Sequence, residues 1–203
     1  MSPAASSGPP SRPTPAELLS LSASRPPTLG SGRLICLDGP AGSGKTTFAG
    51  RLAAALGPAA TLVHLEDLYD GWTLTGAVAR LRAGVLQPIT EGRPGAFCRY
   101  DWGVGAFAAE TTPVPPAPVL IVEGCGSSPR ALDRWTTLRI WVEAPTAVRL
   151  ARGLARDGVD LEPEWRRWLQ TEAAEFARED TRARADVRVD GATAAAPGEF
   201  RLL

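Results

Sequence analysis

Residues 39–46 of the chain read GPAGSGKT, with the spacing G-x-x-x-x-G-K-[ST], and this stretch decides the fold. It follows a short apolar run at 34–37, which predicts a buried strand, and precedes an Ala- and Leu-rich segment at 47–56, which predicts a helix. A strand, a glycine-rich turn and a helix in this order form a loop whose backbone N–H groups converge on phosphate oxygens. The stretch therefore predicts a site for nucleotide phosphates.

Each residue type in this loop has a chemical task. Glycines let the backbone turn tightly, Lys45 reaches the β- and γ-phosphates, and Thr46 holds Mg²⁺. ATP and Mg²⁺ are therefore the expected cofactors. A glycine-rich turn that contains Lys-Thr by coincidence is the alternative, and the flanking strand and helix disfavour it. The residues expected to bind the nucleotide are Gly39, Ala41, Gly42, Ser43, Gly44, Lys45, Thr46 and Thr47.

Lys45 is the only lysine among 203 residues, and the other basic residues counted with it are arginines. Compositional drift toward arginine explains the arginines but not the exception. A compact ammonium suits a cradle of backbone amides around phosphate, whereas the broad guanidinium of arginine does not fit there in the same way. The single lysine also excludes the Asn-Lys-x-Asp guanine reader of GTPase switches, because that motif needs a second lysine.

Composition narrows the class of protein. The chain has 22 basic and 22 acidic residues and 44% hydrophobic positions, which suffices for a core and gives no basic field for nucleic acid. No apolar run approaches the ~20 residues of a membrane-spanning helix, and the amino-terminal stretch lacks a signal peptide's apolar core. Three widely spaced cysteines and one histidine form neither a disulfide framework nor a zinc site. These features predict a cytoplasmic protein without nucleic-acid or membrane partners.

Apolar runs and helical segments alternate after the loop. Further strands are predicted at 61–65, 119–122, 138–142 and 187–189, and further helices at 74–82, 146–156 and 162–181. We expect the helix at 74–82 to end at Gly84, 88–100 to be a substrate-region loop, and 104–110 to be a short helix. The tryptophans of the last helix are expected in the core. This alternation is typical of the P-loop NTPase fold, a three-layer α/β/α sandwich with a mostly parallel five-stranded sheet and a helical lid.

The first 30 residues are predicted to form a flexible tail rich in Pro, Ser and Ala, with a short helix near 15–22. Thr14 and Glu17 have the spacing of a capping box, with a proline in the first helical position. Met1–Pro13 is expected to be disordered. Residues 31–203 then form the folded domain.

Carboxylates follow two of the predicted strands. Glu66, Asp67 and Asp70 come after the second strand, and Glu123 comes directly after the third. Ligands of open α/β sheets bind at the carboxyl ends of strands, so these groups are expected near the phosphates. One could accept the proton of an attacking hydroxyl and another could hold Mg²⁺; loop capping is the alternative for each.

Arg149, Arg152 and Arg156 lie three and four residues apart and therefore share one helix face. Such a face can close over a triphosphate, and a solvated basic face is the alternative. His64, at the end of the second strand, is expected to pack near the sheet rather than to act in catalysis.

On these residues the chain resembles the uridine kinase and phosphoribulokinase branch of the P-loop kinases, over roughly residues 33–190. The segments that carry the resemblance besides the phosphate loop are Glu66-Asp67-Leu68-Tyr69, Leu81-Arg82-Ala83-Gly84, Tyr100-Asp101-Trp102, Val122-Glu123-Gly124, 149–157 and 176–187. The resemblance implies that residues 31–203 are a kinase domain in which Asp67 is the base and Glu123 helps Thr46 with Mg²⁺. It also implies that Lys45, Arg152 and Arg156 act on the transferring phosphate. The implied substrate-binding residues are Asp67, Tyr69, Asp70, Tyr100 and Asp101.

The resemblance implies an ATP-dependent kinase that transfers the γ-phosphoryl group to a hydroxyl, with a nucleoside such as uridine or cytidine as the expected acceptor. The chain departs from the family where the acceptor binds, because no histidine follows Trp102. It departs again in the lid, where Gly158-Val159-Asp160 stands in place of Arg-Gly-Arg. Two alternatives stay open: a kinase of another alcohol, such as a pantothenate-like compound or a sugar phosphate, and a nucleotide-binding protein or ATPase without kinase activity. The oligomeric state is not indicated.

Overall fold

The computed structural model describes residues 14–192 and 201–203. The tail predicted for Met1–Pro13 lies outside the described residues. The strands are β1 (Arg33–Asp38), β2 (Ala60–His64), β3 (Gly95–Asp101), β4 (Ala106–Val114), β5 (Val119–Glu123), β6 (Thr136–Glu143), β7 (Val187–Asp190) and β8 (Arg201–Leu202). The α-helices are α1 (Pro15–Ala23), α2 (Lys45–Leu56), α3 (Ala77–Leu81), α4 (Gln87–Thr90), α5 (Thr146–Asp157) and α6 (Glu162–Glu179).

The main sheet has six strands in the order β2-β5-β1-β6-β7-β8. The first five are parallel and correspond to the five predicted strands, so the expected α/β sandwich around a mostly parallel sheet is confirmed. β8, which the sequence does not predict, pairs antiparallel with β7 at the edge. Because β1 lies between β5 and β6, the loops that leave its carboxyl end open into a crevice where such folds bind ligands.

Helices cover both faces of the sheet. Successive residues of β1 alternate between two apolar clusters, with Leu34 and Cys36 on one face and Ile35 and Leu37 on the other. On α6, Trp165 and Trp168 are buried, as expected for core residues. Within the described ranges, no helix combines the length and the apolarity needed to cross a membrane.

The region between α4 and β5 corrects two sequence-based expectations. Residues 95–114 form an antiparallel hairpin of β3 and β4, so the loop expected at 88–100 and the short helix expected at 104–110 are both wrong. Gly95, one of the glycines that suggested a loop, begins β3, and the tight turn lies further on, where the Asp101 carboxylate accepts the backbone N–H groups of Gly103 and Val104. Phe97 and Tyr100 face inward, but a bulge between Cys98 and Tyr100 interrupts the alternation by which strands are recognised.

The helix expected to end at Gly84 instead continues through it. α3 passes into a π-helical turn at Arg82–Leu86 and then into α4, which carries Pro88 in its first turn. Gly84 is required by packing rather than by helix termination, because a Cβ there would lie 2.4 Å from the carbonyl oxygen of Ala96 on β3. The glycine therefore lets the hairpin approach the helix closely.

The amino-terminal helix α1 packs on the core. Its capping box is present: the Thr14 hydroxyl accepts the N–H of Glu17, and the Glu17 carboxylate accepts the N–H of Thr14. Leu18 is only 2% exposed in the apolar cluster on the α2 face. The Arg33 guanidinium donates to the carbonyls of Ser22 and Arg25, which ties the segment after α1 to β1. The domain boundary placed after residue 30 stays a prediction.

Candidate active site

The phosphate loop joins β1 to α2 and has the backbone that its glycines allow. Gly39, Gly42 and Gly44 adopt φ values of 139°, 75° and 97°, which disfavour any side chain. A Cβ on Gly39 would lie 2.1 Å from the carbonyl oxygen of Val142, so β6 also requires glycine there. Lys45 begins α2, and the N–H groups of its first turn point into the loop without a side-chain cap. The predicted loop therefore has the form of an anion cradle.

The Lys45 side chain is only 6% exposed. Its ammonium donates to the carbonyl oxygen of Pro40 at 2.9 Å and lies 3.6 Å from the thiol of Cys125. Burial acts to lower the pKa of Lys45, but the charges of Cys125, Glu123 and other nearby acids raise it overall. The side chain therefore keeps its positive charge within the loop.

Glu123, at the end of β5, joins the phosphate loop to β2. Its Oε1 accepts the Thr46 hydroxyl at 3.1 Å and lies 2.6 Å from Nδ1 of His64. The hydrogen bond that Glu123 accepts raises the pKa of His64, so the imidazolium is favoured. His64 and Glu123 are register partners on neighbouring parallel strands, a juxtaposition that the sequence does not reveal before the strand order is known.

Thr46 and Glu123 suit Mg²⁺, because a hydroxyl and a carboxylate oxygen come together beside a phosphate cradle. Among the described residues, no cluster of three or more His, Cys, Asp or Glu side chains could hold a metal by itself. This donor set fits a cation that takes most of its ligands from phosphate and water, as Mg²⁺ does in nucleotide sites.

Two carboxylates of the turn at Leu65–Leu68, which follows β2, have different surroundings. Asp67 accepts a hydrogen bond from the Arg99 guanidinium of β3 at 2.8 Å, and this pair joins the turn to the hairpin. Partial desolvation, followed by the charge of Glu123, raises the pKa of Glu66 although the residue is exposed, and Arg156 acts in the opposite direction. Glu66 therefore shares an electrostatic environment with the metal candidate and the lid arginine, whereas Asp67 has a cationic partner of its own.

The predicted substrate-binding residues are divided between the core and the hairpin. Tyr69 is buried, donates its hydroxyl to the carbonyl oxygen of Cys125 at 2.8 Å and contacts the Trp168 ring. Asp70 is exposed, with Arg80 at 3.8 Å. Tyr100 is buried between Trp102 and Phe107. Asp101 caps the hairpin turn, as described above.

The rim between these residues is aromatic. Trp72 and Trp102 are 38% and 47% exposed, and their ring centroids lie 5.9 Å apart in an edge-to-face arrangement. Trp72 also contacts the rings of Trp165 and Trp168 on α6. An exposed aromatic pair backed by buried rings offers an apolar face to a ligand. The sequence shows these tryptophans but does not show that they meet.

The three arginines of α5 do not act as one open basic face. Arg149 is buried and pairs with Glu172 at 2.7 Å. Arg152 donates to the carbonyl oxygens of Gly42 at 3.2 Å and Gly191 at 2.9 Å. Arg156 pairs with its neighbour Asp157. Only Arg152 and Arg156 are exposed enough to exchange these partners for a ligand.

Asp38, which the sequence analysis does not select, lies under the phosphate loop at the end of β1. Its carboxylate accepts the backbone N–H groups of Gly39, Gly126 and Ser128, which joins the loop after β1 to the loop after β5. Burial raises the pKa of Asp38 to about 6, although the backbone hydrogen bonds act to lower it. An aspartate directly before the first glycine of the motif is the only sign of this role in the sequence.

Comparison with known proteins supports the resemblance identified from the sequence. No protein-family model matches the chain. A curated uridine kinase from Halobacterium salinarum is 26% identical over 141 residues, a match that covers 62% of this chain and 63% of that protein. The match thus spans less than two thirds of the relative's length.

Two solved structures share the fold. A possible uridine kinase from Bacillus stearothermophilus superposes with a TM-score of 0.58 at 18% identity, covering 77% of this chain and 88% of that one. A candidate fructose transport system kinase from Silicibacter sp. TM1040 gives 0.59 at 22% identity, covering 81% and 95%. The chain therefore has the α/β fold of P-loop NTPases and is similar to uridine kinase-like proteins.

Proposed function

We propose that the protein is an ATP- and Mg²⁺-dependent kinase that transfers the γ-phosphoryl group to a hydroxyl of a small acceptor, with a nucleoside as the favoured class. The observation that carries this proposal is the meeting of three groups at one end of the sheet: the Lys45 cradle, the Thr46–Glu123 pair and the carboxylates that follow β2. The likeness to a curated uridine kinase supports phosphoryl transfer over nucleotide binding alone.

In this proposal the phosphate loop binds the nucleotide by its backbone and by one charge. The uncapped N–H groups at the start of α2 donate to phosphate oxygens, and Lys45 neutralises the β- and γ-phosphates. Thr46 and Glu123 would hold Mg²⁺, which neutralises charge on the transferring group when it is bound. His64 donates to Glu123 and so fixes the orientation of that carboxylate.

The proton of the attacking hydroxyl needs a base. The resemblance assigns this role to Asp67, but Arg99 already engages that carboxylate, so we propose Glu66 of the same turn as the base. A base accepts protons best when its pKa lies near the working pH, and partial desolvation and the charge of Glu123 raise the pKa of Glu66 in that direction although the residue is exposed. Asp67 is held by Arg99 and in this proposal fixes the hairpin beside the acceptor. Arg156, and Arg152 after release from its carbonyl partners, would stabilise charge on the transferring phosphate.

Two isosteric variants separate the candidate bases. We expect Glu66→Gln to lower kcat by ~10²–10⁴-fold with little change in the KM for ATP, because a lost base affects the chemical step. Asp67→Asn should lower kcat less than Glu66→Gln and raise the KM for the acceptor. Steady-state phosphoryl transfer at saturating Mg·ATP measures both. The opposite ranking would return the role to Asp67, and two variants with normal kcat would exclude a carboxylate base from this turn.

The acceptor class is tested by ADP release over uridine, cytidine, a pantothenate-like alcohol and sugar phosphates, with an acceptor-free reaction and Lys45→Ala as controls. Acceptor-dependent release that Lys45→Ala abolishes is the expected result. ADP release at the same rate with and without an acceptor would indicate an ATPase. The absence of ADP release with every acceptor would favour a nucleotide-binding protein. The aromatic pair Trp72–Trp102 supports an acceptor with an apolar ring face.

A further inference from the structure

A buried ion pair holds one residue of the phosphate loop, Ala41, by both its backbone N–H and its backbone carbonyl. The Glu172 carboxylate of α6 accepts the N–H of Ala41 at 2.7 Å. The Arg149 guanidinium of α5 donates to the carbonyl oxygen of the same residue at 3.4 Å, and to Glu172 at 2.7 Å. Ala41 is therefore fixed by one side chain from each of the two helices that follow β6.

Arg149 is itself anchored to the start of α5. Its guanidinium also donates to the carbonyl oxygen of Ala144 at 3.0 Å and to the hydroxyl of Thr146 at 3.1 Å. A Cβ on Gly42 would lie 2.5 Å from the backbone carbonyl oxygen of Arg149, so the helix backbone presses directly on the loop. The front of the phosphate loop therefore packs directly against the start of α5.

A gain in folding stability does not by itself explain why an ion pair is buried at this position. Glu172 is 1% exposed and Arg149 9%, and removing two charges from water costs about as much as their attraction returns. Burial raises the pKa of Glu172, which shows that its ionised form carries a desolvation cost. A charged pair kept at this position is better explained by the loop shape that it specifies.

We propose that Glu172 and Arg149 are a positioning pair that sets the conformation of Pro40–Gly42 for nucleotide phosphate and couples it to α5. The expected effect on nucleotide affinity rests on the proposed function. The claim that the pair fixes the conformation of Pro40–Gly42 does not. In consequence, the pair controls the affinity for phosphate-bearing ligands rather than the chemistry of transfer.

Glu179 provides a matched control on the same helix. Like Glu172 it is buried, accepts a backbone N–H at 2.7 Å, here from Arg130, and pairs with an arginine, Arg178. The contacts of Glu179 do not include the phosphate loop. Glu179→Gln therefore reproduces the loss of a buried charge on α6 without changing the contacts of Ala41.

The structural claim is tested by hydrogen exchange at the Ala41 amide in the nucleotide-free protein. We expect faster exchange in Glu172→Ala and no change in Glu179→Ala. The functional consequence is tested by calorimetric titration with Mg·ADP and with adenosine. Glu172→Gln should weaken Mg·ADP binding by about 10- to 100-fold, as expected for a lost charged hydrogen bond, and leave adenosine binding unchanged. In turnover, the KM for ATP should rise while the KM for the acceptor stays constant.

Several results would overturn the proposal. These are unchanged exchange at Ala41, equal affinities in Glu172→Gln and wild type, or equal losses in Glu172→Gln and Glu179→Gln. If Glu172→Gln does not fold, Arg149→Lys serves instead, since lysine keeps the charge but cannot reach Glu172, Ala144 and Thr146 together. Wild-type protein that binds no Mg·ADP but shows the expected exchange difference would refute the proposed function and leave the positioning claim supported.

Discussion

Asp38 shows what a single buried side chain contributes beneath the phosphate loop. It accepts three backbone N–H groups from two loops that are far apart in sequence but adjacent in the sheet. Its neighbours leave it little water, and burial raises its pKa to about 6. Asp38 therefore holds the two loops that line the crevice in place, although burial of its carboxylate costs free energy.

This balance predicts a pH dependence of stability. The ordinary pKa of an aspartate is 3.8, so between about pH 4 and 6 the folded protein binds a proton that the unfolded chain has released. The contribution of Asp38 to the free energy of unfolding therefore decreases as the pH rises through this window, by about 3 kcal/mol in all. Denaturant unfolding of wild type and Asp38→Asn at several pH values measures it. The difference between the two curves should shrink with rising pH, and parallel curves would contradict the assignment.

At the scale of elements, the packing of α5 on α6 depends on a residue without a side chain. Gly153 lies where α5 meets the Trp165 ring, and a Cβ there would lie 2.3 Å from the ring. Trp165 is 1% exposed and donates its indole N–H to Asp157 at the end of α5. The ring therefore has little room to move away. A glycine inside a helix, which ordinarily weakens it, is here the condition for the two helices to meet.

Gly153→Ala should consequently destabilise the protein. Overpacking costs about 1–3 kcal/mol, which outweighs the ~1 kcal/mol that alanine gains over glycine in a helix. Gly50→Ala on α2 is the control, because a Cβ there meets nothing within 4 Å. The same substitution should stabilise at position 50 and destabilise at position 153. Thermal or denaturant unfolding shows the sign, and a gain at both positions would refute the packing argument.

Strands and helices could be predicted from the sequence where a single pattern of apolar residues marks them. All five parallel strands were recognised from apolar runs. β1, β5 and most of β6 are buried on both faces, which makes such strands apolar, whereas β2 and β7 are partly exposed. The β3–β4 hairpin was not, because its strands are half exposed, β3 contains a bulge, and its glycines suggest a loop. The helix end predicted at Gly84 was wrong for a related reason. A glycine that close packing requires cannot be distinguished in the sequence from a glycine that ends a helix.

At the scale of the whole molecule, the chain before β1 acts as a strap across the base of the sheet. Leu18 of α1 enters the core, and Arg25 reaches Asp186 next to β7 and the carbonyl oxygen of Thr137 on β6. Arg33 closes the strap from the other side. The segment therefore connects β1, β6 and β7 at the end of the sheet opposite the phosphate loop.

Shortened chains test whether this strap belongs to the folding unit. A variant that begins at residue 14 should match the full chain in stability and activity. One that begins at residue 27 should lose several kcal/mol, since burial of Leu18 alone is worth about 1.5–3 kcal/mol. Denaturant unfolding of the three chains measures the difference. Equal stability of all three would support the boundary predicted after residue 30.

The backbone of the candidate site could be predicted from the sequence, but most pairings between its side chains could not. The phosphate loop follows from spacing alone, and Glu123 from its place after a strand. The pairings of Asp67 with Arg99 and of Arg149 with Glu172 join residues 32 and 23 positions apart, and depend on how hairpin and helices dock. Such contacts arise from tertiary structure, so residue spacing along one helix gave three arginines the same expected role although their environments differ.

The solitary lysine gives the protein a distinctive reactivity. Because Lys45 carries the only side-chain primary amine, an amine-acylating reagent can add to a single side chain, which lies within the phosphate loop. Its ammonium is enclosed by the Pro40 carbonyl and Cys125, and a bound nucleotide would shield it further. The fraction of the Lys45 peptide that escapes acylation, measured by mass spectrometry, would thus report the fraction of phosphate loops that hold a ligand. The measurement works in a mixture of proteins and needs no assay of a reaction product.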